Sequence, residues 1–272
     1  MTALPLTWLY VPADRPDRVE KALASRAHAV IVDLEDAVAA DAKDRSRAGL
    51  PGLLSGALSK PLHIRVNPLE SPWGRADLAA LTRLAGVVGV HVPKVERPEQ
   101  ARAVLELVPL RVHCLLESAL GVENAFTIAS EPGVTGISLG EADLAGQTGA
   151  RGDGLDWARG RIVNAACAAG LDRPPQSVYP HVRDLEGLAR SCAHGRELGH
   201  LGRAAIHPAQ LPVIEQAYLP SDDEVELARE LVDAFAGQGA GALALADGRF
   251  VDPALLRAAE QTLALAAAHG TR

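Results

Sequence analysis

Short β-branched and aliphatic runs alternate with longer helical patterns along the whole 272-residue chain, and that alternation predicts βαβ units around a parallel sheet. Eight runs read as strands, at residues 8–11, 29–33, 62–66, 87–92, 111–116, 134–139, 176–179 and 204–207. The seventh is the weakest, because Pro174 and Pro175 crowd it and proline removes ladder donors. Pro16 after Asp14, and Pro98 before Glu99, mark two helix starts with proline in the first turn and an acid near the positive helix end. Eight parallel strands favour closure into an α/β (β/α)8 TIM barrel. A doubly wound open sheet is the competing architecture, and it would carry a glycine-rich phosphate loop after its first strand. The turn there, Val11-Pro12-Ala13-Asp14-Arg15-Pro16, has no glycine. A barrel domain over residues 1–220 is therefore expected. Residues 221–272 exceed a minimal barrel: helical patterns near 222–235 and from Pro253 flank the Gly/Ala-rich stretch 237–246. They read as a helical extension, a lid or a subunit-swapped arm hinged on glycine.

Composition narrows the function more than the fold. Hydrophobic residues make up 48% of the chain, enough to bury a full core, and the formal net charge is -7. An acidic balance without clustered Lys and Arg excludes a nucleic-acid partner. No apolar run approaches the roughly 20 residues that span a bilayer. The N-terminal MTALPLTWLYVP lacks the basic and apolar regions of a signal peptide, so a cytoplasmic location is expected, with no membrane partner. Cys114, Cys167 and Cys192 show no CxxC spacing and read as buried, reduced thiols.

The charges near the strand ends carry the chemistry, because a barrel builds its active site from the C-terminal ends of its strands. In the third strand, alternation puts His63, Arg65 and Asn67 on the inner face. Arg65 there reads as a ligand clamp, or as a partner in an internal ion pair. The fifth strand runs into Glu117 on the inner side of the rim, and the sixth is followed by Glu141-Ala142-Asp143. Glu117 and Asp143 can thus present carboxylate oxygen to one point, which suits Mg²⁺ with open positions for water and substrate. Two carboxylates doing acid/base work without a metal are the alternative. Glu35 follows the second strand and is a better site residue than Asp36, which reads adequately as a helix N-cap. Lys94, after the fourth strand, stays charged beside so many acids, so it pairs with them or binds substrate and does not form a Schiff base. His63 fits deep in the barrel and His207 fits strand-end packing; no Ser-His-Asp order emerges.

Taken together, Leu9-Tyr10-Val11-Pro12-Ala13-Asp14-Arg15-Pro16, Val32-Asp33-Leu34-Glu35-Asp36-Ala37-Val38, Arg65-Val66-Asn67-Pro68, Pro93-Lys94, Leu116-Glu117-Ser118-Ala119-Leu120-Gly121, Ser138-Leu139-Gly140 with Asp143, and Ile206-His207-Pro208 resemble the citrate lyase β-subunit-like family. That family comprises Mg²⁺-dependent barrel lyases related to malyl-CoA and citramalyl-CoA lyases. The resemblance implies that Glu117 and Asp143 hold Mg²⁺, that Arg65 binds the carboxylate of a 2-oxo acid, and that Arg15 and Lys94 lie near the site. It also implies that Asp252 reaches a neighbouring subunit's site as acid/base in a homotrimer or higher homo-oligomer. The implied reaction joins or separates an acyl-CoA thioester and a 2-oxo acid such as oxaloacetate, glyoxylate or pyruvate. A CoA-independent 2-oxo acid aldolase and a substrate-binding component of a citrate lyase complex are the alternatives. One departure stands out: the family pattern has Gly-Glu-Asp after Ser-Leu-Gly, and this chain has Ala142 where the Glu is usual.

Overall fold

The second strand of the sheet, β2 (Ala29–Asp33), is buried at every position, as a parallel strand covered on both faces requires. It sits inside a seven-stranded sheet with β1 (Thr7–Pro12), β3 (Leu62–Arg65), β4 (Val87–Val92), β5 (Arg111–Leu116), β6 (Val134–Leu139) and β7 (Arg203–Ala205). The order is β6-β5-β4-β3-β2-β1-β7, and every pairing is parallel. The computed structural model describes residues 4–54, 60–236, 243–244, 250–251 and 253–270. Helices follow the strands, and two begin as their prolines predict, at Pro16–Ala24 and Pro98–Leu105. Aliphatic side chains such as Ile31, Leu62, Ile64, Leu116 and Ile137 are fully buried, each contributing about 1.5–3 kcal/mol of transfer free energy.

The sheet is strongly curled. Trp8 of β1 and His113 of β5 are four strands apart in the sheet order, a separation of roughly 19 Å if the sheet were flat. Their ring centroids lie 6.3 Å apart. Closure differs from the expected eight-stranded ladder. The segment expected as the seventh strand contributes a single parallel bridge, Gln176 to Arg203. Gln176 donates its N–H to Gly202 and accepts from Ala204 N, both at 2.9 Å. Towards β6 the contact passes through a side chain, the Ser177 hydroxyl donating to the Leu139 carbonyl. Pro174 and Pro175 before it and Pro180 after it supply no backbone donors, which ends the ladder after one step. The last expected strand is also displaced, from 204–207 to Arg203–Ala205. His207 instead accepts from Ala209 N at 3.1 Å and caps the short turn Pro208–Gln210.

Inside the curl lies a layer of rings. His63, His91 and His113 pack with Trp8, and His91 stacks on His113 at 4.4 Å with an interplanar angle of 9°. His113 reaches across to β6 because residue 136 is glycine: a Cβ there would lie 2.8 Å from His113 Cε1.

Chain packing separates Pro5–Glu215 from a second unit formed by Gln216–Arg272 with Met1–Leu4. In the second unit the helices Asp222–Ala236 and Pro253–His269 pack on each other. Ser221 and Glu224 exchange backbone and side-chain hydrogen bonds in a reciprocal capping box at the first of these helices. Leu243–Ala244 and Phe250–Val251 form an antiparallel pair. Among the described residues no helix is long and apolar enough to cross a membrane. Cys114 and Cys192 are buried free thiols as expected, but Cys167 is exposed on its helix.

Candidate active site

Asp33 ends β2 and ties together the rim above it. Its Oδ1 accepts from Glu35 N at 2.9 Å and Arg65 Nε at 2.7 Å; its Oδ2 accepts from Ala37 N at 3.1 Å and Arg65 Nη2 at 2.6 Å. Those four donors saturate a carboxylate. The loop that follows is clamped from beneath. Buried Lys43 donates to the carbonyls of Leu34 at 3.0 Å and Glu35 at 2.8 Å, and Asn67 Nδ2 donates to Leu34 O at 3.0 Å. Asp36 caps no helix there, contrary to its sequence reading. The chain runs through the turn Ala40–Ala42 into the helix Lys43–Leu53, and Asp36 stays exposed at the cavity wall.

Arg65 is an internal ion-pair partner, one of the two readings that the sequence left open. Besides Asp33, its Nη1 lies 3.0 Å from Glu35 Oε2. Two of its five N–H groups donate to Asp33, and Nη1 makes only the ion pair with Glu35. Burial opposes the charge of Arg65, but the hydrogen bonds and charge of Asp33 outweigh it and hold the pKa above its ordinary value. Glu35 is buried between Arg65 and Lys94, whose Nζ lies 2.8 Å away. Burial raises the Glu35 pKa, against the opposing charges of Arg65 and Lys94. The same hydrogen bond raises the pKa of Lys94 and keeps it cationic. Lys94 adopts a left-handed backbone with φ 57°, a conformation costly for a non-glycine residue and held here by its surroundings.

Glu117 has no such partner. It is buried directly after β5, and its Oε2 makes no hydrogen bond with any described residue. Burial, then the charge of Glu35, pushes its pKa up to about 8; Arg65 opposes the shift and Asp143 adds to it. Glycine at 140 makes the room, since a Cβ there would lie 2.9 Å from Glu117 Oε1. Glu117, Asp143 and Arg65 line one cavity of about 470 Å³ with Tyr10, Asp33, Asp36 and Ala142, a size suited to a small-molecule ligand. An orphaned buried carboxylate oxygen beside a second acid fits a hard divalent cation, which would restore the ionised form of Glu117. Elsewhere Asp153, Asp156 and His194 also cluster. There Asp156 is already bonded to Arg159 at 2.7 Å and His194 at 2.9 Å.

The structure thus brings Arg65, Glu117 and Asp143 to the cavity, with Glu35 and Lys94 joined to it through Arg65 and the acids. Arg15 is not a lining residue; it is exposed and pairs with Asp17 at 3.3 Å. Asp252 lies outside the described residues. Asp33 and Tyr10 were not singled out from the sequence. Tyr10 had a signal, an aromatic residue on the same face of its strand as Trp8, but that pattern reads equally as core. Glu141, beside Ala142, is engaged by Arg159 at 2.5 Å.

Comparison with known proteins identifies the family. The family model for HpcH/HpaI aldolase/citrate lyase matches residues 6–208. A (3S)-malyl-CoA thioesterase of Cereibacter sphaeroides is 39% identical, over 96% of this chain and 94% of its own length. An L-malyl-CoA/beta-methylmalyl-CoA lyase of the same species is 32% identical, over 93% of this chain and 91% of its own. The protein CitE from Mycobacterium tuberculosis, solved in complex with magnesium, acetoacetate and coenzyme A, superposes with a TM-score of 0.85 at 34% identity, covering 97% of this chain and 98% of that one. By the family match and these identities, the chain belongs to the HpcH/HpaI aldolase/citrate lyase family of enzymes.

Proposed function

We propose that this chain is a Mg²⁺-dependent carbon–carbon lyase or synthase acting on a hydroxyacyl-CoA thioester of citryl, malyl or citramalyl type and a 2-oxo acid. The observation that carries the reading is the unpartnered buried oxygen of Glu117 in a cavity shared with Asp143 and Arg65. Glu117 and Asp143 would hold the cation. When bound, Mg²⁺ supplies Lewis-acid polarisation of a carbonyl oxygen. Arg65 neutralises the ligand carboxylate with the N–H groups that Asp33 does not hold, and Asp33 and Glu35 fix the direction in which they point. Lys94 balances Glu35 and leaves Arg65 the stronger attraction for substrate. Leu115, Leu139, Val178 and Ile206 line the same cavity and limit water around the reacting carbons. Asp252, from a neighbouring copy in a homotrimer, is the acid/base in this reading, and the Gln176 segment is the eighth stave of a barrel. A cytoplasmic location belongs to the same reading, since its substrates are soluble metabolites.

A second reading is hydrolysis of the thioester, favoured by the 39% identical relative named as a thioesterase. The two reactions break different bonds and are separable in one assay. Malyl-CoA, citramalyl-CoA and citryl-CoA are incubated with the chain, with and without Mg²⁺, and both free thiol and 2-oxo acid are followed. Carbon–carbon cleavage releases 2-oxo acid without free thiol; hydrolysis releases free thiol without 2-oxo acid. Turnover of free hydroxy-oxo acids alone would replace both with the CoA-independent aldolase. Turnover only with an acyl-carrier partner would make the chain a component of a larger lyase.

A further inference from the structure

The cavity wall carries four neutral polar side chains, Tyr10, Ser138, Gln176 and Ser177. Three are committed to protein partners. Ser138 Oγ lies 2.7 Å from His113 Nε2, Gln176 binds Arg203 at 3.0 Å and the Ser191 carbonyl at 3.2 Å, and Ser177 donates to Leu139 O. The Tyr10 hydroxyl makes no hydrogen bond with any described residue.

Its ring is nevertheless fixed. The Arg65 guanidinium carbon lies 5.1 Å from the ring centroid, and His91 meets the ring edge-on at 6.5 Å. A phenylalanine would satisfy both contacts. The hydroxyl is therefore the part of this residue that packing does not explain. Burial, against the opposing charge of Arg65 and with the charges of Asp33, Glu117 and Glu35, raises the phenol pKa. The group stays protonated at neutral pH and acts as a donor.

We propose that the Tyr10 hydroxyl is a substrate-binding donor, sharing with Arg65 the carboxylate of the 2-oxo acid and so selecting ligands that place an anionic oxygen beside the guanidinium. The inference rests on the reading that Arg65 receives that carboxylate. Arg65 supplies charge from a guanidinium locked by Asp33, and Tyr10 supplies a neutral donor from the ring beneath it. A carboxylate has acceptor positions for both.

The test is Tyr10→Phe, examined by calorimetric titration with oxaloacetate in the presence of Mg²⁺, by steady-state kinetics and by thermal melting. Oxaloacetate binding is expected to weaken roughly 10- to 100-fold, as for loss of a hydrogen bond to a charged acceptor. The KM for the 2-oxo acid rises by a similar factor while kcat stays within a few-fold, and the melting temperature is unchanged or higher. Binding within two-fold of the parent overturns the contact. A melting temperature that falls in step with affinity overturns it as well, because the hydroxyl is then structural. If the parent chain itself binds no oxaloacetate with Mg²⁺, the reading of Arg65 fails, and this inference fails with it.

Discussion

Along β1, β3 and β5 the inner face changes character within two to four residues. Trp8, His63 and His113 lie in the layer of packed rings, whereas Tyr10, Arg65 and Glu117 reach the cavity. In the upper region nearly every charge is answered: Asp33 takes four donors, and Glu35 sits between two cations. In the lower region burial holds the imidazoles neutral. His63 is driven down to about 4 and His113 to about 3, burial being the first cause in each. Among the described residues, His91 finds no hydrogen-bond partner for either ring nitrogen. The same inner face of the curled sheet therefore hosts two solutions to polar burial, pairing above and neutralisation below. The upper one leaves directed N–H groups for a ligand; the lower one uses imidazole as a rigid aromatic filler.

Replacing one polar side chain in each region tests that contrast, and Arg65→Met has the largest expected effect. It strands Asp33 and Glu35 as buried acids, so unfolding by urea should reveal a loss of about 3–5 kcal/mol. Thioester turnover should fall at least about 100-fold. A variant that kept both stability and turnover would show that the upper region is not built on paired charge.

Acid should act on the lower region. The folded pKa values of His63 and His113 lie below the 6.5 of the unfolded chain, so below that pH the unfolded state binds protons that the folded state refuses. Their stabilising balance is complete above pH 6.5 and is lost as pH falls towards 4 for His63 and 3 for His113. By pH 5 each contributes a loss on the order of 2 kcal/mol. Melting curves between pH 7 and pH 5 check this, and a His113→Leu variant should show a shallower decline. An unchanged slope would mean that His113 is not held neutral by burial.

Gly140→Ala sharpens the comparison from within the upper region. The backbone at φ -92° accepts alanine, so the effect isolates the contact with Glu117. A loss of about 1–3 kcal/mol is expected, with at least about 10-fold weaker Mg²⁺-dependent binding of oxaloacetate by calorimetry. The smallest change belongs to His91→Leu, expected within about 1 kcal/mol of the parent, since an apolar side chain replaces nitrogens that have no partner. A large loss there would indicate that the ring layer depends on polarity after all.

How much of this was legible in the sequence differs along the same line. Strand alternation located Arg65 and Glu117, and the strand-six end located Asp143, because inward charges at strand ends are rare without a reason. Six of the strands were readable from local hydrophobic runs. The segment at 176–179 read as the weakest strand because of its prolines, but its reduction to one bridge was not legible, since the pairing with Arg203 depends on a partner distant in sequence. Asp33 belonged to an acidic run whose members look alike until the guanidinium of Arg65 picks one of them. Lys43 was not singled out from the sequence. Its burial under the loop, with Trp73 at 5.2 Å from its Nζ, follows only from the fold.

The four-donor arrangement of Asp33 bears on how this site can diversify. Because one carboxylate orders both the loop after β2 and the guanidinium of β3, neither can be exchanged alone. A loop spanning residues 34–42 taken from a relative would arrive without its anchor unless Asp33, Lys43, Arg65 and Asn67 travelled with it. The transferable unit in recombination is thus a cassette running from β2 through Asn67. Ala142, which lines the same cavity, lies outside that cassette and can be exchanged without disturbing it.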